Sequence, residues 1–138
     1  MAEAERKQQE AIEQEKERHQ YVVQQMADFY QPFLDLSSDG MFVYLDDEHK
    51  TCNQNLADMF GYTVEEWSAI QPFLDKLVAP ESRDEAMAAY REVRQDGVSR
   101  ISVQTCLRRD GSKFQARIAL IPIIAGDDFF TINLVRPV

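Results

Sequence analysis

Asn53-Gln54-Asn55-Leu56-Ala57-Asp58-Met59-Phe60-Gly61-Tyr62-Thr63-Val64-Glu65-Glu66-Trp67 carries two helix starts and one helix stop in quick succession. The amide of Asn53 or Asn55 can accept a hydrogen bond from an early helical N–H and so open a helix through Phe60. Gly61 then supplies the left-handed conformation that ends it. Thr63 and Glu66 have the spacing of a capping box, in which each side chain satisfies the other's backbone N–H, and a second helix is expected through Ile70.

Working outward from this stretch, Phe73 to Leu77 reads as a single amphipathic turn. A longer helix is predicted to start near Pro80, with a second box at Ser82-Arg83-Asp84-Glu85, to run to Gln95 and to stop at Gly97. Met87, Tyr90 and Val93 form its inward stripe. On the N-terminal side, Ser37-Ser38-Asp39-Gly40 is a breaker cluster. Between it and the capped helices lie a short apolar strand, Met41 to Leu45, a turn at Asp46-Asp47-Glu48, and a weaker strand, His49 to Asn53.

The last third alternates. Asp110-Gly111 is a hairpin signal. Pairing outward from a two-residue turn sets Leu107 opposite Phe114, Thr105 opposite Ala116, Val103 opposite Ile118 and Ile101 opposite Leu120. That register gives one apolar face, interrupted by Thr105 alone, and it is taken as the core face. A turn at Ala125-Gly126-Asp127 leads to a final strand, Phe129 to Val135, that is apolar on both sides. Phe129 and Val135 share one face; Phe130, Ile132 and Leu134 share the other, extended by Ile121 and Ala119. An antiparallel sheet with one solvated face does not show this pattern, so something must cover the outer side.

Residues Ala2 to Tyr30 contain neither Gly nor Pro and favour helix, until Pro32 ends or kinks it. Ile12, His19 and Met26 fall on one heptad position; Glu15, Val22 and Phe29 fall on the other. Such a helix would be about 43 Å long, against a radius of gyration of about 13 Å for a domain of ~100 residues. It overhangs its domain and its seam calls for a second helix, most simply from a second copy of the chain. The same helix, from the chain itself or from the partner, is the candidate cover for the outer sheet face. The expected organisation is therefore an amphipathic coiled-coil helix over residues 1–36 and one α+β domain over residues 37–138.

The net charge of −9 repels phosphate backbones and anionic lipid, which disfavours nucleic acid and membrane surfaces as partners. No run approaches a membrane span, and the N-terminus lacks the apolar stretch of a secretory signal, so a cytoplasmic protein is expected. Cys52 and Cys106 are expected as free thiols. No set of His, Cys and carboxylates has metal spacing, and no Gly-rich phosphate loop is present. His19 and His49 read as solvated or register-setting residues.

The order of elements and the local sequence resemble the PAS sensor family. The opening stretch, with an asparagine before a helix ending in Phe60-Gly61-Tyr62 and two glutamates after Thr63, resembles that family's first helices. Ser38-Asp39-Gly40-Met41-Phe42-Val43 resembles its first strand, and Leu107-Arg108-Arg109-Asp110-Gly111-Ser112-Lys113-Phe114 a hairpin between its long strands. The resemblance spans about Ser37 to Val135. It implies a five-stranded antiparallel sheet in the order 2-1-5-4-3 with short helices on one face. It also implies that Cys52 and Cys106 lie at opposite sheet edges, too far apart to bridge within one chain. Two departures bear on cofactors. Ile70-Gln71-Pro72-Phe73-Leu74 has no cysteine where the light-sensing flavin members carry one, and Glu81 to Gln95 has no histidine of the kind haem-binding members use. A flavin–cysteine adduct and haem are therefore disfavoured and no cofactor is expected. The chain also ends without the Asp-X-Thr junction that couples many members to an output helix.

The candidate ligand pocket lies between the long helix and the inner sheet face, at Met87, Tyr90, Val103, Thr105 and Ile118, with Thr105 and Tyr90 as its polar groups. Three functions follow: a sensory PAS module, dimeric through its N-terminal helix and open to a small colourless ligand; a ligand-free PAS domain that only dimerises; or a small cone-shaped α+β isomerase or hydrolase. The last would need an acid or histidine inside the cone, which the paired strands do not supply. No enzyme activity is expected, and no output domain or downstream partner is legible.

Overall fold

The computed structural model describes Ala2–Val138; at residues 15, 16, 18–20, 22, 23, 26, 27 and 125 it describes the backbone alone. Helix α1 spans Ala2–Leu36, followed by β1 (Gly40–Asp46) and β2 (His49–Cys52). Three short helices come next, α2 (Gln54–Phe60), α3 (Val64–Ser68) and α4 (Phe73–Leu77). A 3₁₀ turn at Pro80–Ser82 opens α5 (Arg83–Asp96), and β3 (Arg100–Leu107), β4 (Lys113–Ala125) and β5 (Asp128–Pro137) complete the chain. The sheet is antiparallel in the order β2-β1-β5-β4-β3, which puts Cys52 and Cys106 on opposite edge strands. Both are buried free thiols.

The caps form as their residue types dictate. Asn53 Oδ1 accepts from Leu56 N at 2.9 Å, and Gly61, at φ 85°, closes α2. Thr63 and Glu66 make both halves of the capping box. At α5 the expected box does not form. Ser82 Oγ instead accepts from Thr105 N at 2.9 Å, tying the helix start to the edge strand β3. Pro32 does not end α1, which continues to Leu36. The lost N–H falls about one turn from the helix end, and that last turn is held by burial of Leu34 and by Asn53 Nδ2 donating to Leu34 O at 3.0 Å.

The β3–β4 register differs by one residue from the sequence expectation. Cys106 pairs with Phe114, Gln104 with Ala116, Ser102 with Ile118 and Arg100 with Leu120. The cause is the turn. Gly111 N donates to Arg108 O at 3.0 Å and Arg108 N donates to Ser112 O at 2.9 Å, with Gly111 at φ 86°. This is a three-residue loop, a type I turn closed by a left-handed glycine, and not a two-residue turn. A slip of one residue exchanges the faces of a strand. Gln104 and Cys106 therefore point into the core, and Ile101, Val103 and Thr105 lie on the outer face.

Two apolar clusters sandwich the sheet. The inner one joins Phe42, Leu56, Phe60, Trp67, Ile118 and Val135, among others, beneath α2–α5. The outer one joins Val43, Leu45 and Phe130 with Leu34 and Tyr30 of α1. The chain's own α1 thus covers part of the outer face, by its last two turns. Its remaining length overhangs, since a helix of 35 residues reaches about 52 Å.

Candidate functional site

A cavity of about 260 Å³ lies between the inner sheet face and helices α2, α3, α4 and α5. Its walls are aromatic. Phe42 sits 5.2 Å from Trp67 and 5.7 Å from Phe73 between ring centroids. Tyr44 bridges Phe73 at 5.3 Å and Tyr90 at 5.8 Å. The alternation of β1 places Phe42 and Tyr44 on one face, and β4 adds Ile118 and Leu120 from the sheet floor.

Buried Lys50 and half-buried Tyr44 anchor the wall that α3 and α4 provide. Lys50 is 5% exposed, and its Nζ donates to Asp47 O at 2.5 Å, Ile70 O at 2.6 Å and Ser68 O at 3.1 Å. Burial lowers its pKa, opposed by the nearby Asp47 and Asp46 carboxylates. Tyr44 OH donates to Asp47 Oδ1 at 2.7 Å while Asp47 Oδ2 accepts from Phe73 N at 3.2 Å. Burial and the hydrogen bond to Asp47 push the Tyr44 phenol above its ordinary value, so it stays protonated and remains the donor. The segment joining α3 to α4 is therefore held by the turn between β1 and β2.

Of the sequence-predicted pocket residues, Met87, Tyr90 and Ile118 line the cavity; Val103 and Thr105 do not, because the hairpin slip turns them outward. Val103 is 47% exposed. Sequence reasoning missed three buried polar groups that do line it: Gln104, Thr131 and Asn133. Asn133 Nδ2 donates to Thr131 Oγ1 at 2.9 Å and Gln104 Nε2 to Ser102 Oγ at 2.9 Å. Gln104 was hidden by the register. Thr131 and Asn133 were legible, since they share parity with Phe129 and Val135. No carboxylate or histidine lines the cavity, and among the described residues no group of His, Cys, Asp and Glu could hold a metal ion.

The remaining expected positions fall on the outer face and on α1. Ile121 pairs with Ile132, and Leu134 with Ala119, on the face where Phe130 is buried against α1. Ile12 and Phe29 are exposed on α1. The side chains of His19, Val22 and Met26, with Glu15, lie outside the described residues. Phe29, Phe33 and Leu36 form an exposed stripe at helical spacing, beside the Tyr30 and Leu34 face that packs on the sheet. Ile101 is likewise exposed on the outer face of the edge strand.

A family model described as the PAS fold matches residues 28–134. The chain belongs to the PAS family. The PAS match takes in the last turns of α1 as well as the sheet and its helices. Solved structures share the fold. A PAS domain from a two-component sensor histidine kinase superposes with a TM-score of 0.64 at 16% identity, covering 83% of this chain and 98% of that one. The PAS domain of a protein from Colwellia psychrerythraea gives 0.65 at 16% identity, over 85% and 97%. A LOV protein of Rhodobacter sphaeroides gives 0.67 at 16% identity, over 83% and 68%. No curated protein matches the chain. Among the described residues no helix is long and apolar enough to cross a membrane.

Proposed function

We propose that this PAS domain is a non-catalytic sensory module that dimerises through α1 and takes a small colourless molecule into the inner cavity. The observation that carries the reading is the pairing of an aromatic-walled cavity with a helix that is apolar on two sides. Asn53 joins the two. Its Oδ1 accepts from Leu56 N of α2 and from Met41 N of β1, while its Nδ2 donates to Leu34 O of α1 and Asp39 O. A ligand that shifts α2, which supplies Phe60 to the cavity, acts on the seat of α1 through these bonds. The exposed Phe29–Phe33–Leu36 stripe and the exposed Ile101 and Val103 are the surfaces that a second copy would bury. The absence of a cysteine at residues 70–74 and of a histidine in α5 supports a colourless ligand over flavin or haem. A cytoplasmic setting is part of the same proposal.

Sedimentation of the chain with and without residues 2–26 tests the dimer. The full chain should sediment as a dimer and the shortened one as a weaker dimer or monomer; equal association would exclude α1 as the contact. Native mass spectrometry of the purified protein tests the ligand, with an added mass expected that is lost on unfolding. A ligand-free domain that only dimerises is the second reading, favoured by the exposed apolar outer strand, and it would show dimers with no added mass.

A further inference from the structure

The geometry points to a small aromatic monoanion as the ligand, its ring in the cavity and its carboxylate at a cationic rim on α5; this inference rests on the cavity being a binding site. Of the residues that line the cavity, Met87 and Arg91 are the exposed ones, so the mouth opens beside α5. Met87, Arg91 and Arg94 follow one helical stripe. Arg94 Nη1 donates to Tyr90 OH at 3.4 Å and its guanidinium lies 5.2 Å from the Phe129 ring centroid. Neither Arg91 nor Arg94 forms an ion pair among the described residues, in a chain whose net charge is −9.

The interior fixes the orientation. Its lining has no cation deeper than Arg91, so a carboxylate drawn inside would lose its hydration without compensation. At the mouth the same carboxylate meets a guanidinium while remaining wet. The volume of about 260 Å³ equals roughly nine waters at liquid density, room for one ring with a short chain. Gln104, Thr131 and Asn133 at the floor leave space for one further polar substituent on that ring.

The test uses 3-phenylpropionate, its neutral isostere 3-phenylpropionamide, and propylbenzene, each titrated into the full-length protein. Trp67 is the single tryptophan of the chain and lines the cavity, so its fluorescence reports occupancy. All three should perturb Trp67. The acid should bind roughly three- to fivefold tighter than the amide at low salt, the effect of a solvent-exposed ion pair, and the gap should narrow as salt is raised. The Arg91→Gln/Arg94→Gln double variant, exposed at both positions, should abolish that gap and leave propylbenzene binding unchanged. Equal binding of acid and amide, or a gap that survives the Arg91→Gln/Arg94→Gln double variant, would overturn the anionic ligand and leave the cavity as a site. If none of the three perturbs Trp67, the cavity reading falls and this inference with it.

Discussion

Asn53 concentrates more of the fold than any other polar side chain described. Four hydrogen bonds from one buried amide satisfy two N–H groups and two carbonyls belonging to α1, β1, α2 and the segment before β1. Asn53→Ala removes a helix cap and leaves buried backbone groups unpaired, so a loss of about 2–4 kcal/mol is expected in urea unfolding. Amide exchange at Met41 and Leu56 should rise in the same variant. The two cysteines make a contrasting case. Burial pushes both thiols up to about 12. Neither should react with a disulfide reagent at pH 8 in the native protein, and both should react after unfolding. Surface carboxylates supply a pH dependence. The hydrogen bond from Arg136 lowers Asp39, and the bond from the Thr63 backbone lowers Glu66. Groups lowered in the fold add stability that is full above their unfolded values near 4 and is lost as pH falls through the folded ones. The wild type should therefore lose more stability between about pH 5 and pH 2 than an Asp39→Asn/Glu66→Gln variant, as read by urea midpoints.

At the scale of elements, both caps of α2 and the capping box of α3 were legible, whereas the start of α5 and one strand register were not. Asn53, Gly61, Thr63 and Glu66 act within four residues of themselves, so their local chemistry settles the outcome. The β3–β4 hairpin depends on whether two or three residues turn, and Arg108-Arg109-Asp110-Gly111-Ser112 is compatible with both. The apolar residues of β3 then favoured the wrong answer, because Ile101 and Val103 belong to the outer face of a sheet that is apolar on both sides. The same error concealed Gln104 and misplaced Thr105 at the candidate site. Gly111→Ala tests the turn. An added Cβ meets nothing within 4 Å, so its effect is the cost of a left-handed backbone alone, about 1–2 kcal/mol in thermal or urea unfolding. Leu34→Ala tests the docking of α1. Leu34 is 1% exposed on the outer cluster, and a loss of about 2–5 kcal/mol is expected with the inner cavity intact.

For the whole molecule, the sheet divides the work. Its inner face closes over a cavity, and its outer face seats a helix that reaches beyond the domain. The family was readable from the succession of short motifs, and the sheet order followed from that resemblance. Of the cavity's polar floor, Thr131 and Asn133 could be read from the alternation of β5, whereas Gln104 depends on the slipped register of β3 and could not. The edge strand β3 carries a further consequence. Val78 bridges Cys106, and Ala79 N donates to Thr105 O at 2.9 Å, so one end of that edge is already occupied. Among the described residues no strand lies beyond the other end, from Arg100 to Val103, and Ile101 and Val103 stand exposed there. An open apolar edge is a template for pairing with foreign strands. Arg100, paired with Asp96 and Glu92, is the charge that guards it. Arg100→Val should make the protein turbid on heating at concentrations where the wild type stays clear, with its folded-state spectrum unchanged. A single charge at the end of one strand would then set how much of this protein a solution can hold.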